Sequence, residues 1–164
     1  MAFTYPLNET PATFPAGMLG ERIVSNDGSK EYIFVKNTDA SSLASGDCVT
    51  WELPESFTVD LCASTEIPCG LVVNDITGDV AAVNDGLWIQ VKGQCYGTKG
   101  LATGSVAFAA GLNVMARSNG NIRPSTGTIG ALSMTELRIQ SVLGEATETV
   151  ASSATGQVGV NLYG

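Results

Sequence analysis

The chain has 164 residues, a length that fits one domain or one domain with an arm, and its 44% hydrophobic residues can form a core without disulfides or metal. It has no histidine and a net charge of −8. These features exclude Ser-His and Cys-His nucleophile pairs and histidine-bound metals, and they argue against nucleic acid or anionic lipid as a partner. Charged residues make up only 15% of the chain and glycine occurs 19 times, which is typical of short strands joined by tight turns.

The sequence of residues 1–20 predicts an extended N-terminal arm. Pro6, Pro11 and Pro15 each block a helix and bias the preceding residue toward an extended conformation. Ordering such a segment costs more backbone entropy than burial of its apolar side chains returns. We therefore expect a loose arm unless a surface also supplies backbone hydrogen bonds; the alternative is an arm that packs on its own domain. The large apolar side chains of the arm are Phe3, Tyr5, Leu7, Phe14, Met18 and Leu19.

Residues 21–164 predict a β-rich domain that begins with a hairpin. Residues 21–25 and 30–36 have strand character and flank residues 26–29, whose sequence Asn-Asp-Gly-Ser favours a tight turn. The second of these strands is apolar on both faces, so we expect it to be covered on both sides. Further strands are predicted at 48–51, 57–61, 67–73 and 80–83.

A clearly alternating strand follows a predicted turn at residues 84–86. Leu87, Ile89 and Val91 share one face, and Trp88 lies on the other face with two polar residues. Trp88 and Tyr96 are the best candidate contact residues of the domain. The alternative for Trp88 is that it fills a second layer beneath the arm or a loop.

The C-terminal half predicts more short strands, at 104–110 and 112–116, followed by a hairpin turn at Asn119-Gly120. Residues 132–143 fit both a helix with a capping box and a strand, and we favour the strand. Alternating Val158, Val160 and Leu162 predict a last strand that closes the sheet. Some ten short strands at close spacing predict an all-β fold, either a compact β-sandwich or a β-barrel.

The sequence offers little for catalysis or cofactor binding. It contains no phosphate-binding glycine motif, and its scattered acidic residues fit turns better than a calcium loop or a sugar cleft. We therefore expect no enzyme activity and no cofactor.

The four cysteines form no CxxC pair, which gives a zinc site little support. No export signal or membrane span is visible, so we expect a soluble protein made in a cytoplasm, with free and mostly buried thiols.

The charge is distributed unevenly along the chain. Residues 1–85 hold 13 acidic and 3 basic residues, a net charge of −10, whereas residues 86–164 hold 3 acidic and 5 basic residues, a net charge of +2. One interpretation is a solvated acidic face. The other is head-to-tail complementarity between neighbouring subunits, in which charge guides register more than affinity.

Six segments, taken in order, resemble the head decoration (capsid cement) proteins of tailed bacteriophages. That family tends to show an opening with an aromatic strand and Gly-Asp, a central Gly-Trp-Ile-Gln-Val pattern and a closing Val-x-Val-x-Leu. Here Leu87 separates Gly86 from Trp88, and residues 132–143 form a longer connection than usual. The segments are 27–36 (DGSKEYIFVK), 40–49 (ASSLASGDCV), 69–73 (CGLVV), 85–93 (DGLWIQVKG), 142–146 (VLGEA) and 158–162 (VGVNL).

The resemblance implies a non-enzymatic virion protein on the exterior of a phage capsid, made in the bacterial cytoplasm. Its implied partners are the major capsid protein, whose adjacent subunits it would cement, and further copies of itself, commonly in a trimer. We expect the capsid or intersubunit contact to be made by Phe3, Tyr5, Leu7, Phe14, Met18, Trp88 and Tyr96. The alternative function is a carbohydrate-binding or host-adhesion module of a phage fibre or tail, with Trp88 and Tyr96 as its aromatic platform.

Overall fold

The computed structural model describes residues 10–73, 80–99, 107–125, 142–151 and 156–164, and these residues form an all-β fold. Two short 3-10 helices, Ala16–Met18 and Pro54–Ser56, accompany the strands. The prediction of an all-β fold with about ten short strands is confirmed. The described strands are β1 (Arg22–Val24), β2 (Glu31–Asn37), β3 (Cys48–Leu53), β4 (Thr58–Leu61), β5 (Pro68–Val72), β6 (Gly86–Lys99), β7 (Asn113–Ala116), β8 (Ile122–Pro124), β9 (Val142–Ala146) and β10 (Gly156–Tyr163).

Five of these strands close into a barrel in the order β2, β4, β3, β5 and β6, after which β6 pairs with β2 again. The pairing of β2 with β4 is parallel, and the other four pairings are antiparallel. Of the two predicted architectures, the barrel is therefore the one observed. Every strand of this first barrel contributes apolar side chains to its core, which includes Ile33, Val35, Val49, Val59, Val72, Leu87 and Ile89.

The long strand β6 has 14 residues and extends into a second ring of strands. Its second half pairs with β10, and the ring continues through β9, β7 and β8. A single parallel pair, Lys99 with Ile122, closes the ring back onto β6. The core of this second ring also contains Cys48, Cys62 and Leu71 from the outer face of the first barrel. The two rings therefore share both a strand and a buried interface.

Local turn chemistry accounts for both predicted hairpins. In the turn between β1 and β2, Gly28 has a φ of 71°, and the Asp27 carboxylate accepts hydrogen bonds from Ser25 Oγ at 2.6 Å and from the Ser29 amide at 3.0 Å. Between β7 and β8, Asn119 and Gly120 have φ values of 60° and 68°, a conformation that these two residue types tolerate. Both hairpin predictions are confirmed.

The predicted alternation of β6 and β10 is confirmed, as is the coverage of β2 on both faces. Leu87 and Ile89 enter the core of the first barrel, while Trp88 is buried on the opposite face. On β10, the apolar residues of the alternating pattern face the second core.

Two strand predictions fail in the described residues. Residues 80–83 form only an isolated bridge, in which the amides of Ala81 and Leu43 each donate to the other residue's carbonyl. The side-chain amide of Asn37 also donates to the Ala81 carbonyl, at 2.9 Å. Residues 107–110 likewise contribute only the bridge between Phe108 and Val150. The choice between strand and helix at 132–143 falls largely on residues 126–141, which lie outside the described residues.

Candidate functional site

Residues 10–20, the described part of the predicted arm, lie against the first barrel. The Gly86 amide donates to the Pro11 carbonyl, and the Gly20 amide donates to the Phe34 carbonyl, each at 2.9 Å. The Phe34 amide donates in turn to the Glu21 carbonyl at 2.9 Å. For residues 10–20 the structure therefore shows the second alternative, in which the segment packs on its own domain.

An aromatic cluster holds this segment in place. The rings of Phe14 and Phe34 meet edge to face with centroids 5.3 Å apart, and Phe34 meets Trp88 in the same way at 5.1 Å. Met18 is 3% exposed and Trp88 is fully buried in the same cluster. Trp88 therefore fills a second layer beneath the segment, which was the alternative to a solvent-facing contact residue.

The structure gives the exposure of four residues of the predicted contact set, and the contact itself stays a prediction. Met18 and Trp88 are covered by their own chain, so they present no surface to a partner, and Phe14 is half-buried against Phe34. Tyr96 is 54% exposed, as a contact residue must be. Three further predicted contact residues, Phe3, Tyr5 and Leu7, lie outside the described residues.

Tyr96 belongs to an exposed polar face on the two strands that the rings bring together, β6 and β10. Register places Tyr96 opposite Gly159, Gln94 opposite Asn161 and Lys92 opposite Tyr163. Because alternate residues of paired strands share one side of a sheet, these side chains form one surface. We call this surface the β6–β10 face; its exposed side chains are Lys92, Gln94, Tyr96, Gln157, Asn161 and Tyr163.

The β6–β10 face combines exposed tyrosines with amides. Tyr163 is 52% exposed, and its hydroxyl donates to Asn113 Oδ1 at 3.0 Å. Burial of the hydroxyl, with a smaller contribution from Glu145, raises the pKa of Tyr163, so the phenol stays protonated at neutral pH. A surface of this kind offers aromatic area and hydrogen-bonding groups together, the combination enriched at protein contact sites.

The first barrel and its N-terminal segment have the opposite electrostatic character. Residues 10–73 and 80–92, which include the first half of β6, carry ten acidic and four basic residues, a net charge of −6. The described residues from 93 onward carry two acidic and three basic residues, a net charge of +1. The charge asymmetry along the sequence is thus also an asymmetry between the two rings.

Sequence reasoning found Tyr96 but missed Tyr163, Gln94 and Asn161 as members of the same face. The alternating sequence of the last strand could have indicated these residues. Its polar side chains lie on one face of the strand, and its buried valines lie on the other face. What the sequence did not show was that β10 pairs with the second half of β6.

The four cysteines are free thiols, with Cys48 and Cys62 buried and Cys69 and Cys95 half-buried. Burial is the main cause that raises the pKa of the Cys69 and Cys95 thiols. Across the described ranges, no three residues of the His, Cys, Asp and Glu types are grouped so that they could hold a metal ion. None of the helices in these ranges is long and apolar enough to cross a membrane.

No protein-family model and no curated protein matches this chain. Among solved structures, the chain is similar to the head fiber gp8.5 N base in bacteriophage phi29, with a TM-score of 0.44 and 12% sequence identity. The likeness covers 79% of this chain and 93% of that chain. A likeness at this level places the chain in no family.

Proposed function

We propose that this chain is a non-enzymatic virion structural protein, which binds the outer surface of a phage capsid and cements adjacent major capsid subunits. The observation that carries the proposal is the order of six sequence segments resembling the head decoration proteins. In the described residues most of these segments form strands, whereas residues 40–47 of the second segment precede β3. Residues 86–93 form the first half of β6, residues 142–146 are β9 and residues 158–162 lie within β10.

The β6–β10 face is the surface that we assign to the contact with the shell. It is nearly neutral and rich in tyrosine and amide side chains, whereas the first barrel is acidic. Such a face can give modest affinity for each copy. Contacts to two adjacent capsid subunits would then raise the occupancy through effective concentration, most strongly in a trimer.

The predicted contact through the arm is restricted by the docking of residues 10–20. Residues 1–9 retain three of the predicted contact residues, Phe3, Tyr5 and Leu7, and can extend about 30 Å from Thr10 at most. We propose that these residues add to the contact with a neighbouring molecule, either the capsid or another copy.

Occupancy on purified phage heads tests the proposal. Heads that lack this chain are mixed with the purified protein, washed, and examined by cryo-electron microscopy and gel densitometry. We expect added density outside the shell, at least tenfold lower occupancy for the variant Tyr96→Ala/Asn161→Ala, and unchanged occupancy for the matched surface control Glu52→Ala. Deletion of residues 2–9 tests the arm separately. Heads that show no added density would overturn the proposal.

The alternative function, glycan binding in a fibre or tail, retains one structural argument. Two exposed tyrosines, Tyr96 and Tyr163, lie on the same face about 13 Å apart along the strands, since Tyr163 pairs four residues from Tyr96. Burial of Trp88 removes the larger aromatic platform. Glycan-array binding that is lost in Tyr96→Ala would favour this alternative.

A further inference from the structure

Two of the four cysteines are neighbours at one end of the pairing between β3 and β4: Cys48 is the first residue of β3, and Cys62 directly follows β4. Val49 of β3 pairs with Leu61 of β4, so the next pair outward in this antiparallel register is Cys48 with Cys62. The Cys62 amide donates to the Cys48 carbonyl at 2.9 Å, which confirms that the two residues face each other. Both side chains point into the core of the second ring and have no exposed surface.

The geometry of this pair suits a disulfide. Residues that face each other in antiparallel strands have Cα atoms about 4.5–5.5 Å apart. Here the Cys48 amide donates to the Gly120 carbonyl at 2.7 Å, so the pair shares one of the two possible backbone hydrogen bonds. Disulfides span Cα separations of roughly 4.4–6.8 Å, with a mode at about 5.5–6 Å. Both thiols lie in the same buried cluster. The register therefore predicts a Cα separation within the range that a disulfide spans.

The other cysteines are less well placed. Cys69 lies at an irregularity in the pairing of β3 with β5, where Val49 pairs with Gly70 but Thr50 pairs with Pro68. Cys95 lies on β6 opposite Val160 of β10. The register thus places Cys48 and Cys62 next to each other and does not do so for pairs that include Cys69 or Cys95.

The pair also has a route to reagents. Cys62 immediately follows β4 and begins the exposed turn that leads to β5, and Ile67 in this connection is 55% exposed. Turns of this kind open locally at low free energy, which lets a thiol meet a small reagent without unfolding of the whole chain. The neighbouring Cys62 thiol and burial raise the pKa of Cys48, so exchange requires such an opening and is slow in the closed state.

We propose that Cys48 and Cys62 are a site of disulfide formation, which links β3 to β4 when the chain meets a low-molecular-weight disulfide such as oxidised glutathione. Each protein thiol loses a proton and the pair loses two electrons. The oxidant's S–S bond is reduced to two thiols, and one S–S bond forms in the protein. The bond closes a loop from residue 48 to residue 62 and ties the turn after β4 to the start of β3, at the interface of the two rings.

Mass spectrometry of the native chain tests this site. The reduced protein is incubated with oxidised glutathione, and a second sample is refolded from urea in a glutathione redox buffer, so that equilibrium is approached from both sides. We expect an intact mass lower by about 2 Da. Cleavage after glutamate separates the two cysteines at Glu52 and Glu55, and separates Cys62 from Cys69 at Glu66. The linked peptides therefore identify the bond.

Three variants serve as controls. Cys62→Ala should abolish the loss of 2 Da, whereas Cys69→Ala and Cys95→Ala should retain it. The oxidised wild-type chain should melt roughly 5–10 °C above the reduced chain, because the bond restricts a loop of this length in the unfolded state. Two outcomes would overturn the proposal. One is a bond that includes Cys69 or Cys95, and the other is a protein that stays reduced when approached from both sides.

Discussion

At the scale of single residues, Gly93 is a position where only glycine fits. Its φ is 85°, and a Cβ atom there would collide with the carbonyl oxygen of Ser29. The residue lies on β6 between the part that closes the first barrel and the part that pairs with β10. A side chain at Gly93 would therefore disturb both rings.

We expect Gly93→Ala to lower the free energy of unfolding by about 2–4 kcal/mol, from backbone strain and steric overlap together. Gly28→Ala is the matched control. Gly28 has a similar φ of 71° but nothing within 4 Å of the added atom, so about 1–2 kcal/mol of strain alone is expected. Urea unfolding of both variants measures the difference. If both variants lose the same free energy of unfolding, the overlap of the added Cβ atom with Ser29 does not destabilise the fold.

The turn of the first hairpin gives a prediction about pH. Hydrogen bonds from Ser25, and then from the amide and hydroxyl of Ser29, lower the pKa of Asp27 well below its ordinary value of 3.8. A carboxyl whose folded pKa is depressed stabilises the fold above its unfolded pKa, and this stabilisation is lost as the pH falls through the folded pKa.

The variant Asp27→Asn should therefore have a lower free energy of unfolding than the wild type at pH 6. This difference between the two proteins should become smaller as the pH falls below about 3.9. Urea unfolding at pH 6 and at pH 3 tests this expectation. A gap that keeps the same size at both pH values would contradict the assigned ionisation.

At the scale of elements, docking of residues 10–20 depends on the aromatic cluster over β2 and β6. Phe14 packs edge to face on Phe34, and the fully buried Trp88 meets the Phe34 ring in the same way. Backbone hydrogen bonds to Phe34 and Gly86 add to this packing. The segment is thus held both by burial of its apolar side chains and by backbone hydrogen bonds, the two contributions that we expect an extended segment to need.

We expect Phe14→Ala to cost about 1–3 kcal/mol and to admit water to Trp88. In a Trp51→Phe background, where Trp88 is the sole tryptophan, its fluorescence emission should shift to longer wavelength. Pro15→Ala, at a neighbouring exposed position, is the control and should leave the emission unchanged. An unshifted spectrum for Phe14→Ala would mean that the segment does not shield Trp88.

The elements also show what could be derived from the sequence. The two hairpins were predictable because Asn, Asp and Gly act through local turn geometry, and β6 and β10 were predictable because each alternates along its length. Docking of residues 10–20 was not predictable, since it depends on a surface that exists only after β2 pairs with β6. The same holds for the candidate face: Tyr96 stood out as an aromatic residue, but its neighbours on β10 are set by register.

At the scale of the whole molecule, the shared strand predicts that the two rings unfold together. β6 supplies residues to both rings, and the second core includes side chains from the outer face of the first barrel. The closure of each ring depends on pairings between distant parts of the chain, such as Lys36 with Thr58 and Lys99 with Ile122. No sequence period marks these pairings, so neither ring could be derived in advance.

Leu162→Ala in the second core should lower the free energy of unfolding by about 2–5 kcal/mol. Both tryptophans, Trp51 and Trp88, belong to the first barrel, so their fluorescence reports on that ring alone. For Leu162→Ala we expect the urea midpoint measured by fluorescence and the midpoint measured by circular dichroism to fall by the same amount. The variant Leu87→Ala in the first core should show the same agreement between the two midpoints. Separate midpoints in Leu162→Ala would show that the rings unfold independently.

The shared strand also sets an order of events during translation. Every strand of the first barrel lies before residue 100, whereas β10 and β9 are made much later. Because the ribosome releases the N-terminal part first, the first barrel can close while the second half of β6 has no partner on either side. An unpaired strand edge invites association with other chains. Nascent molecules are therefore most exposed to aggregation, and most in need of a chaperone, between the synthesis of Lys99 and that of Tyr163.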